Sequence, residues 1–395
     1  MSEDKAEAVS FNPLGQYALP AMPAVHALKR FATMLRKRIQ QDADDPVLAN
    51  DRLQRASSDE IDSIVAPPAH GSLLTELDRS LNAWCEEASP PVWLKVVVLP
   101  PGDRQPLLQS WAEAHGYPLL QPPQRARLLD PPTIDAEALQ GSGVLVIPDL
   151  AGWFLRHRNG LQSVRSLLLL LSRAQRHCVL GCNSWAWAFL CRAAGADLLL
   201  PPAITFRAFD AMRLRAWFDS LAAATAQREA VTFRLAGSGV DVLAQDSSGE
   251  LDNAYLKRLA ARSFGIPWVA WHLWRLGLRS RLEGNGLSDK ALKRIEHTTA
   301  GDERTVWVVG FDELVLPKKH ADEALLVLQA LLIHGTLDAS SLRAVLPHLG
   351  EAELLPALIR AGFVLRTELD YHVLPSAYPQ AREALAAAGY PLDHL

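Results

Sequence analysis

The sequence predicts an α/β protein: a parallel-sheet core, then a largely helical segment, then a C-terminal module of three helices and a β-ribbon. Three observations carry this. Short unbroken apolar runs, "WLKVVVLP" from Trp93, "GVLVIPDL" from Gly143 and "HCVLGCN" from His177, have the composition of strands buried on both faces. Each is followed by a stretch of helical spacing, and strands alternating with helices argue a parallel sheet covered on both sides. From Ala321 onward, three helix patterns and two extended ones follow in close order, which is the winged-helix pattern.

Taken in order, residues 1–87 read as a polar, helical extension. Within it "VHALKRFATMLRKRIQQ" places Val25, Leu28, Phe31, Leu35 and Ile39 at helical spacing, with Lys29, Arg30, Arg36, Lys37 and Arg38 and no acid among them. A helix docked on its own protein is the default reading. The sharper one is peripheral contact of the 25–40 helix with a membrane surface or an acidic partner. The core is expected over 88–222. Its first strand leads into "PLLQSWAEAHG", a helix ended by Gly116. "YPLLQ" is a short link to the second strand, which leads into "NGLQSVRSLLLLLSRAQ", and the third leads into "SWAWAFLCRAAG". "ADLLLPPAITF" holds a further strand. Over 223–310, "VTFRLAGSGVDVLAQ" reads as a hairpin or irregular insertion turned by Gly237 and Gly239. Two helices broken at Gly265-Ile266-Pro267 follow. Residues 311–395 hold the helices "ADEALLVLQALLIHG", "DASSLRAVLPHLG" and "EAELLPALIRAG" and the ribbon "FVLRTE" and "YHVLP".

Composition bounds the function. With 395 residues, 49% hydrophobic and 21% charged, the chain has material for two or three domains and needs no staples to hold a core. A formal net charge of −4 gives no global attraction to nucleic acid or anionic membrane. The opening "MSEDKAEAVSF" has no apolar signal core, and the longest aliphatic run, Leu167 to Leu171, is far short of a bilayer span. A soluble, cytoplasmic protein is expected. Cys85, Cys178, Cys182 and Cys191 match no zinc spacing and read as core thiols.

The loop after the first strand poses the functional question. A phosphate-binding loop aims backbone N–H groups at an anion from the start of a helix, adds a lysine for the outer phosphates and a hydroxyl for magnesium. Leu99-Pro100-Pro101-Gly102-Asp103-Arg104-Gln105-Pro106 resembles the GPPG-x-GK[ST] form of AAA+ ATPases. Pro100, Pro101 and Gly102 fit that form. Leu99 and Arg104 stand for its other glycines, Gln105 for the lysine and Pro106 for the hydroxyl residue. Gln105 forgoes a charge-assisted bond of about 1.5–3 kcal/mol, and Pro106 lacks an N–H. Asp103 is placed to cap the helix that starts near Pro106, as a side-chain anion in the place of phosphate. By the same resemblance Asp149 stands where a Walker B acid belongs, able to hold magnesium, and Asn183 at the sensor-1 position. Leu150 replaces the catalytic glutamate and has no group to polarise water. Taken alone, Asp149 reads equally as a loop residue and Asn183 as a helix N-cap. The helix, Gly-x-Pro and helix around Gly265 and Pro267 resemble the lid of STAND and related ATPases. That likeness implies Gly265 and Pro267 at the adenine end and Arg262 near phosphate. The order of core, lid and winged helix, over about Ala88 to Leu374, also matches archaeal origin-recognition initiators in outline.

The resemblance implies ATP or ADP with magnesium at this edge, and the substitutions leave a nucleotide-free site as the equal alternative. The function expected is therefore regulatory or scaffolding, through protein partners, with little or no hydrolysis. An atypical ATPase working as a homo-oligomer, borrowing Arg104 or Arg262, is the runner-up, and a winged-helix DNA regulator or initiator the third reading. DNA is not the expected partner: the candidate reading helix begins with Glu351 and Glu353 and carries one cation, Arg360. The basic "RHRNG", Arg156 to Gly160, reads by default as a solvated turn. Trp185, Trp187, Trp268, Trp271 and Trp274 lie among apolar neighbours and read as core or interface.

Overall fold

The structure, a computed structural model, describes residues 11–23, 53–55, 70–102, 106–130, 134, 139–225, 231–251, 253–281, 304–311, 314–317, 319–349, 351–393 and 395. The basic stretch at 25–40 and Asp103, Arg104 and Gln105 lie outside them. The strands along the chain are β1 (Phe11–Pro13), β2 (Leu53–Arg55), β3 (Leu94–Leu99), β4 (Leu145–Ile147), β5 (Cys178–Asn183), β6 (Ile204–Phe206), β7 (Val231–Leu235), β8 (Leu278–Arg281), β9 (Arg304–Val308), β10 (Leu337–Asp338), β11 (Val364–Arg366) and β12 (Asp370–Val373). The helices are α1 (Ser72–Glu86), α2 (Leu107–His115), α3 (Gln162–Leu171), α4 (Ser184–Ala194), α5 (Ala196–Leu199), α6 (Ala211–Thr225), α7 (Tyr255–Arg262), α8 (Pro267–Gly277), α9 (Ala321–His334), α10 (Ala339–Val345), α11 (Glu351–Arg360) and α12 (Tyr378–Ala387). They fall into two compact units: Met1–Ala18, His70–Arg207 and Leu314–Leu395 in one, Leu19–Ala69 and Ala208–Glu313 in the other.

The first unit is built on a sheet of order β1-β6-β3-β5-β4. The pairs β3/β5, β3/β6 and β4/β5 are parallel, as the alternation of strand and helix predicts. Val96, Val97 and Val98 are buried whichever way they point, the mark of a strand covered on both faces. The "YPLLQ" link runs beside β4, with Leu119 bridged in parallel to Val146. β1 pairs antiparallel with β6 at the opposite edge. Three residues are too few to show a period, so the sequence places no strand there. The helix before Gly116 ends as expected, with that residue in the left-handed region at φ 66°.

The C-terminal module belongs to this same unit. Its helices α9, α10 and α11 and the antiparallel sheet β10-β12-β11 form the winged-helix arrangement. Its first helix, α9, is buried almost all round, from Ala324 to His334. A helix apolar on every face needs cover on every face. α4 supplies it from the core, and β12 and α12 from the module. The module is thus packed into the unit by a shared core helix.

The second unit holds α6, α7 and α8 and a four-stranded sheet of order β2-β8-β9-β7, in which only β7/β9 is parallel. The sequence suggests helices with an inserted hairpin here, and the sheet is the finding that corrects it. Its strands are drawn from far apart in the chain, and no local pattern announces such pairing. The expected return after β7 does occur: Leu235 N–H donates to the Val240 carbonyl, and Gly239 turns with φ 70°. The core is aromatic. Trp274 stacks on Phe218 with centroids 4.4 Å apart and meets the edge of Phe233 at 4.8 Å. All five tryptophans singled out in the sequence are buried, Trp185 and Trp187 in the first unit, Trp268, Trp271 and Trp274 in the second. Of the cysteines, Cys178 and Cys182 are core thiols, while Cys85 and Cys191 are half-buried. Among the described residues no group of three metal-binding side chains occurs, and no helix is long and apolar enough to cross a membrane.

Candidate functional site

The C-terminal ends of β3, β4 and β5 bring together Pro100, Pro101, Gly102, Asp149 and Asn183, with Leu99 in register with Asn183. Gly181 makes this possible. A Cβ there would lie 1.9 Å from the Pro148 carbonyl oxygen and 2.7 Å from Leu108, so only glycine lets the exit of β4 cross so close to β5. Gly102 turns the chain at φ 94° after the two prolines. The turn leads to α2, whose N-cap is Pro106, a residue with no side-chain group to close the helix. The capping role expected of Asp103 falls outside the described residues.

Asp149 and Asn183 both act as helix caps. Asp149 Oδ1 accepts from Ala151 N–H at 2.9 Å, closing the 3-10 turn Leu150–Trp153. Burial pushes its carboxyl up to about 6, against the Ala151 N–H, the Arg125 charge and the Asn183 N–H, which pull it down. The carboxylate itself lies deep, while the residue as a whole keeps a partly open side on the cavity it lines. Asn183 Oδ1 accepts from Ala186 N–H at 2.8 Å as the N-cap of α4, and its Nδ2 donates to the Ile333 carbonyl at 3.1 Å. Both ends of the carboxamide are engaged by protein. Leu150 is fully buried.

Two further residues complete this edge. Arg125, at the start of the 3-10 turn Arg125–Leu129 after α2, donates from Nη2 to the His334 carbonyl at 3.1 Å, and its Nη1 has no partner among the described residues. Burial lowers its pKa, and Asp149, Asp370 and Asp338 push back without a hydrogen bond to it. His334, the last residue of α9, accepts at Nε2 from Arg156 N–H at 3.2 Å. Burial first, then Arg125 and Arg156 beside it, hold it well below its usual range, so it is neutral with the proton on Nδ1. Arg156 also donates to Gln329 Oε1 at 2.8 Å. Of "RHRNG", then, Arg158 and Asn159 are exposed as a turn should be, but Arg156 faces inward onto α9. The sequence carries one signal for His334, a polar residue closing an otherwise apolar helix at "LLIHG"; it carries none for Arg125.

A third string of bonds ties the edge to the chain's last residues. Asp393, its side chain fully buried, accepts at Oδ2 from Ser184 Oγ (2.6 Å) and Tyr378 Oη (3.0 Å), and at Oδ1 from Arg382 Nε (3.0 Å). Tyr378 Oη also accepts from Trp185 Nε1 at 3.3 Å.

Beneath the edge is a cavity of about 520 Å³, walled by Gly102, Pro106, Arg125 and Asp149 on one side and by Thr336 and Asp370 of the C-terminal module on another. Magnesium with a triphosphate fits the described residues poorly: Pro106 at the start of α2 offers neither a hydroxyl nor an N–H, and Asp149 is committed to backbone N–H groups.

Arg262, Gly265 and Pro267 belong to the second unit. The Arg262 guanidinium lies 6.0 Å from the centre of the Phe311 ring. Gly265 has φ 72°, its carbonyl accepts from Phe209 N–H at 2.8 Å, and a Cβ there would lie 2.7 Å from that of Ala208. Pro267 opens α8 at its first turn.

No family model matches the chain, and no curated protein matches it in sequence. Solved structures similar to it include a RuvB variant of Thermotoga maritima, 15% identical over 82% of this chain and 95% of that one, with a TM-score of 0.31. Cdc6p of Pyrobaculum aerophilum is 11% identical over 87% and 99%, with a TM-score of 0.32. The ORC1 protein of Aeropyrum pernix, in complex with DNA, is 12% identical over 84% and 95%, with a TM-score of 0.29.

Proposed function

We propose that this chain is a regulatory or scaffold protein built on an AAA+-like nucleotide-type core, acting through protein partners with little or no ATP hydrolysis. In this reading residues 88–222 are the core, 223–310 the lid and 311–395 the winged helix. The observation that carries it is the state of the polar edge. Asn183, at the sensor position, bonds to its own helix and to α9, and Asp149 caps the turn behind it. The position that would activate water is a fully buried leucine, Leu150. The winged helix fits a protein-facing role better than DNA. Glu353 in α11 pairs with Lys319, and the tip of the ribbon is Thr367-Glu368-Leu369 with Leu369 79% exposed, where phosphate contact would want cations.

The test is ATP turnover by the purified chain, with calorimetric titration of ATP and ADP with and without magnesium. Turnover at or near background is expected, whether or not nucleotide binds. Steady hydrolysis abolished by Asp149→Ala would refute the reading.

A further inference from the structure

The cavity beneath the polar edge has fixed walls. Its two sides belong to one compact unit and are joined through Arg125, Arg156 and Asn183 to the end of α9. Preformed, mostly apolar hollows of this size with a few convergent polar groups are what small-molecule sites look like. The apolar part comes from prolines of both sides, Pro106, Pro122 and Pro375 among them, with Leu331, Leu332 and Val373.

Its charges point to the ligand. Among the described residues the arginine in the wall is Arg125, and the carboxylates are Asp149 and Asp370. Arg125 lies in the field of both, yet neither is hydrogen-bonded to it, and its Nη1 has no partner among the described residues. A buried donor without an acceptor is costly and calls for an occupant. Among the described residues the wall holds two carboxylates and one guanidinium, a poor match for the several negative charges of a polyphosphate. A molecule with one anionic and one cationic end matches it: a carboxylate completes the Arg125 fork, and an ammonium answers the acids. We propose that this cavity binds a small zwitterion of the amino-acid type, its carboxylate on Arg125 and its ammonium toward Asp370, with the buried Asp149 adding only its field. The inference rests on reading this edge as a ligand site without hydrolysis, and it names the class of ligand.

The experiment is calorimetric titration of the full chain with each of the twenty free L-amino acids, and with MgATP and inorganic phosphate. The best binder is then repeated as its carboxamide, which lacks the carboxylate, and as its deaminated acid, which lacks the ammonium. Saturable binding by at least one amino acid is expected, at least tenfold weaker for both analogues. Asp370→Asn should weaken it by a similar factor, and Gln109→Trp, which fills the cavity from a half-buried position on α2, should abolish it. Neither variant removes a buried partner, so both should fold. The proposal is overturned if no amino acid binds, if both variants bind as well as wild type, or if MgATP or phosphate is the ligand that Gln109→Trp excludes. Hydrolysis measured alongside separates the two readings: turnover with amino-acid binding refutes only the absence of hydrolysis, and neither activity refutes only the zwitterion site.

Discussion

The polar edge of the first unit and the Gly265 turn of the second are both places where the chain resembles nucleotide-binding proteins, and they are held by opposite means. At the edge, Asp149 and Asn183 are fixed by hydrogen bonds to backbone groups, and the geometry is electrostatic. At the turn, Gly265 is fixed by shape: a left-handed backbone wedged against Ala208 and Phe209. Each residue has a complete local reason to be what it is, without any ligand.

The comparison is broken first at the turn. Gly265→Ala adds left-handed strain of about 1–3 kcal/mol to overpacking of about 1–3 kcal/mol, so a loss of roughly 2–6 kcal/mol is expected in urea unfolding. Adding Ala208→Gly removes the nearest atom and should recover part of it, leaving the backbone strain. Full recovery would mean that φ is not the constraint, and no recovery that Ala208 is not the obstacle.

At the edge the expected effect is smaller and depends on pH. With a folded value of about 6 against an ordinary 3.8, Asp149 binds its proton more tightly in the folded chain than in the unfolded one. Its contribution is therefore favourable at low pH and is lost as pH rises from about 4 through 6, by roughly 2–3 kcal/mol. Asp149→Asn should remove that downward drift from the unfolding free energy measured at stepped pH. Superimposable pH profiles for the two proteins would show that burial is not what governs this carboxyl.

The smallest effect separates the two bonds of Asn183. Asn183→Ala loses both the cap and the bond to Ile333, roughly 1.5–3 kcal/mol together. Asn183→Ser keeps a capping oxygen and should lose only the bond to Ile333, about 1 kcal/mol. Equal losses for the two would place the whole effect on the contact with α9.

The parallel sheet was legible because strands buried on both faces leave unbroken apolar runs, and α2 because Gly116 closes it. The winged helix was legible from its order of elements. Asp149 and Asn183 could be found because they stand at the ends of such runs. The sheet of the second unit was not legible: β2, β8 and β9 are short and far apart, and their pairing is decided by tertiary packing. Arg125 was hidden for a related reason. It opens a five-residue 3-10 turn, too short for a period to mark which side faces inward, and it becomes a site residue only through contact with His334, 209 positions away.

That separation in sequence has a consequence for how the chain is made. The first unit is interrupted by the second, and its closing bonds join Asn183 to Ile333 and Ser184 to Asp393. As the chain leaves the ribosome, residues 208–313 emerge complete while the sheet before them still lacks α9 and the Asp393 anchor. The apolar face of α4 then waits, uncovered, until more than a hundred further residues have been synthesised. Contacts of such long range reward the chain only after the intervening loop has closed, and exposed apolar surface in the interval invites aggregation. In vivo, the yield of this protein should therefore follow the rate at which its last third is translated and the chaperones that hold its first.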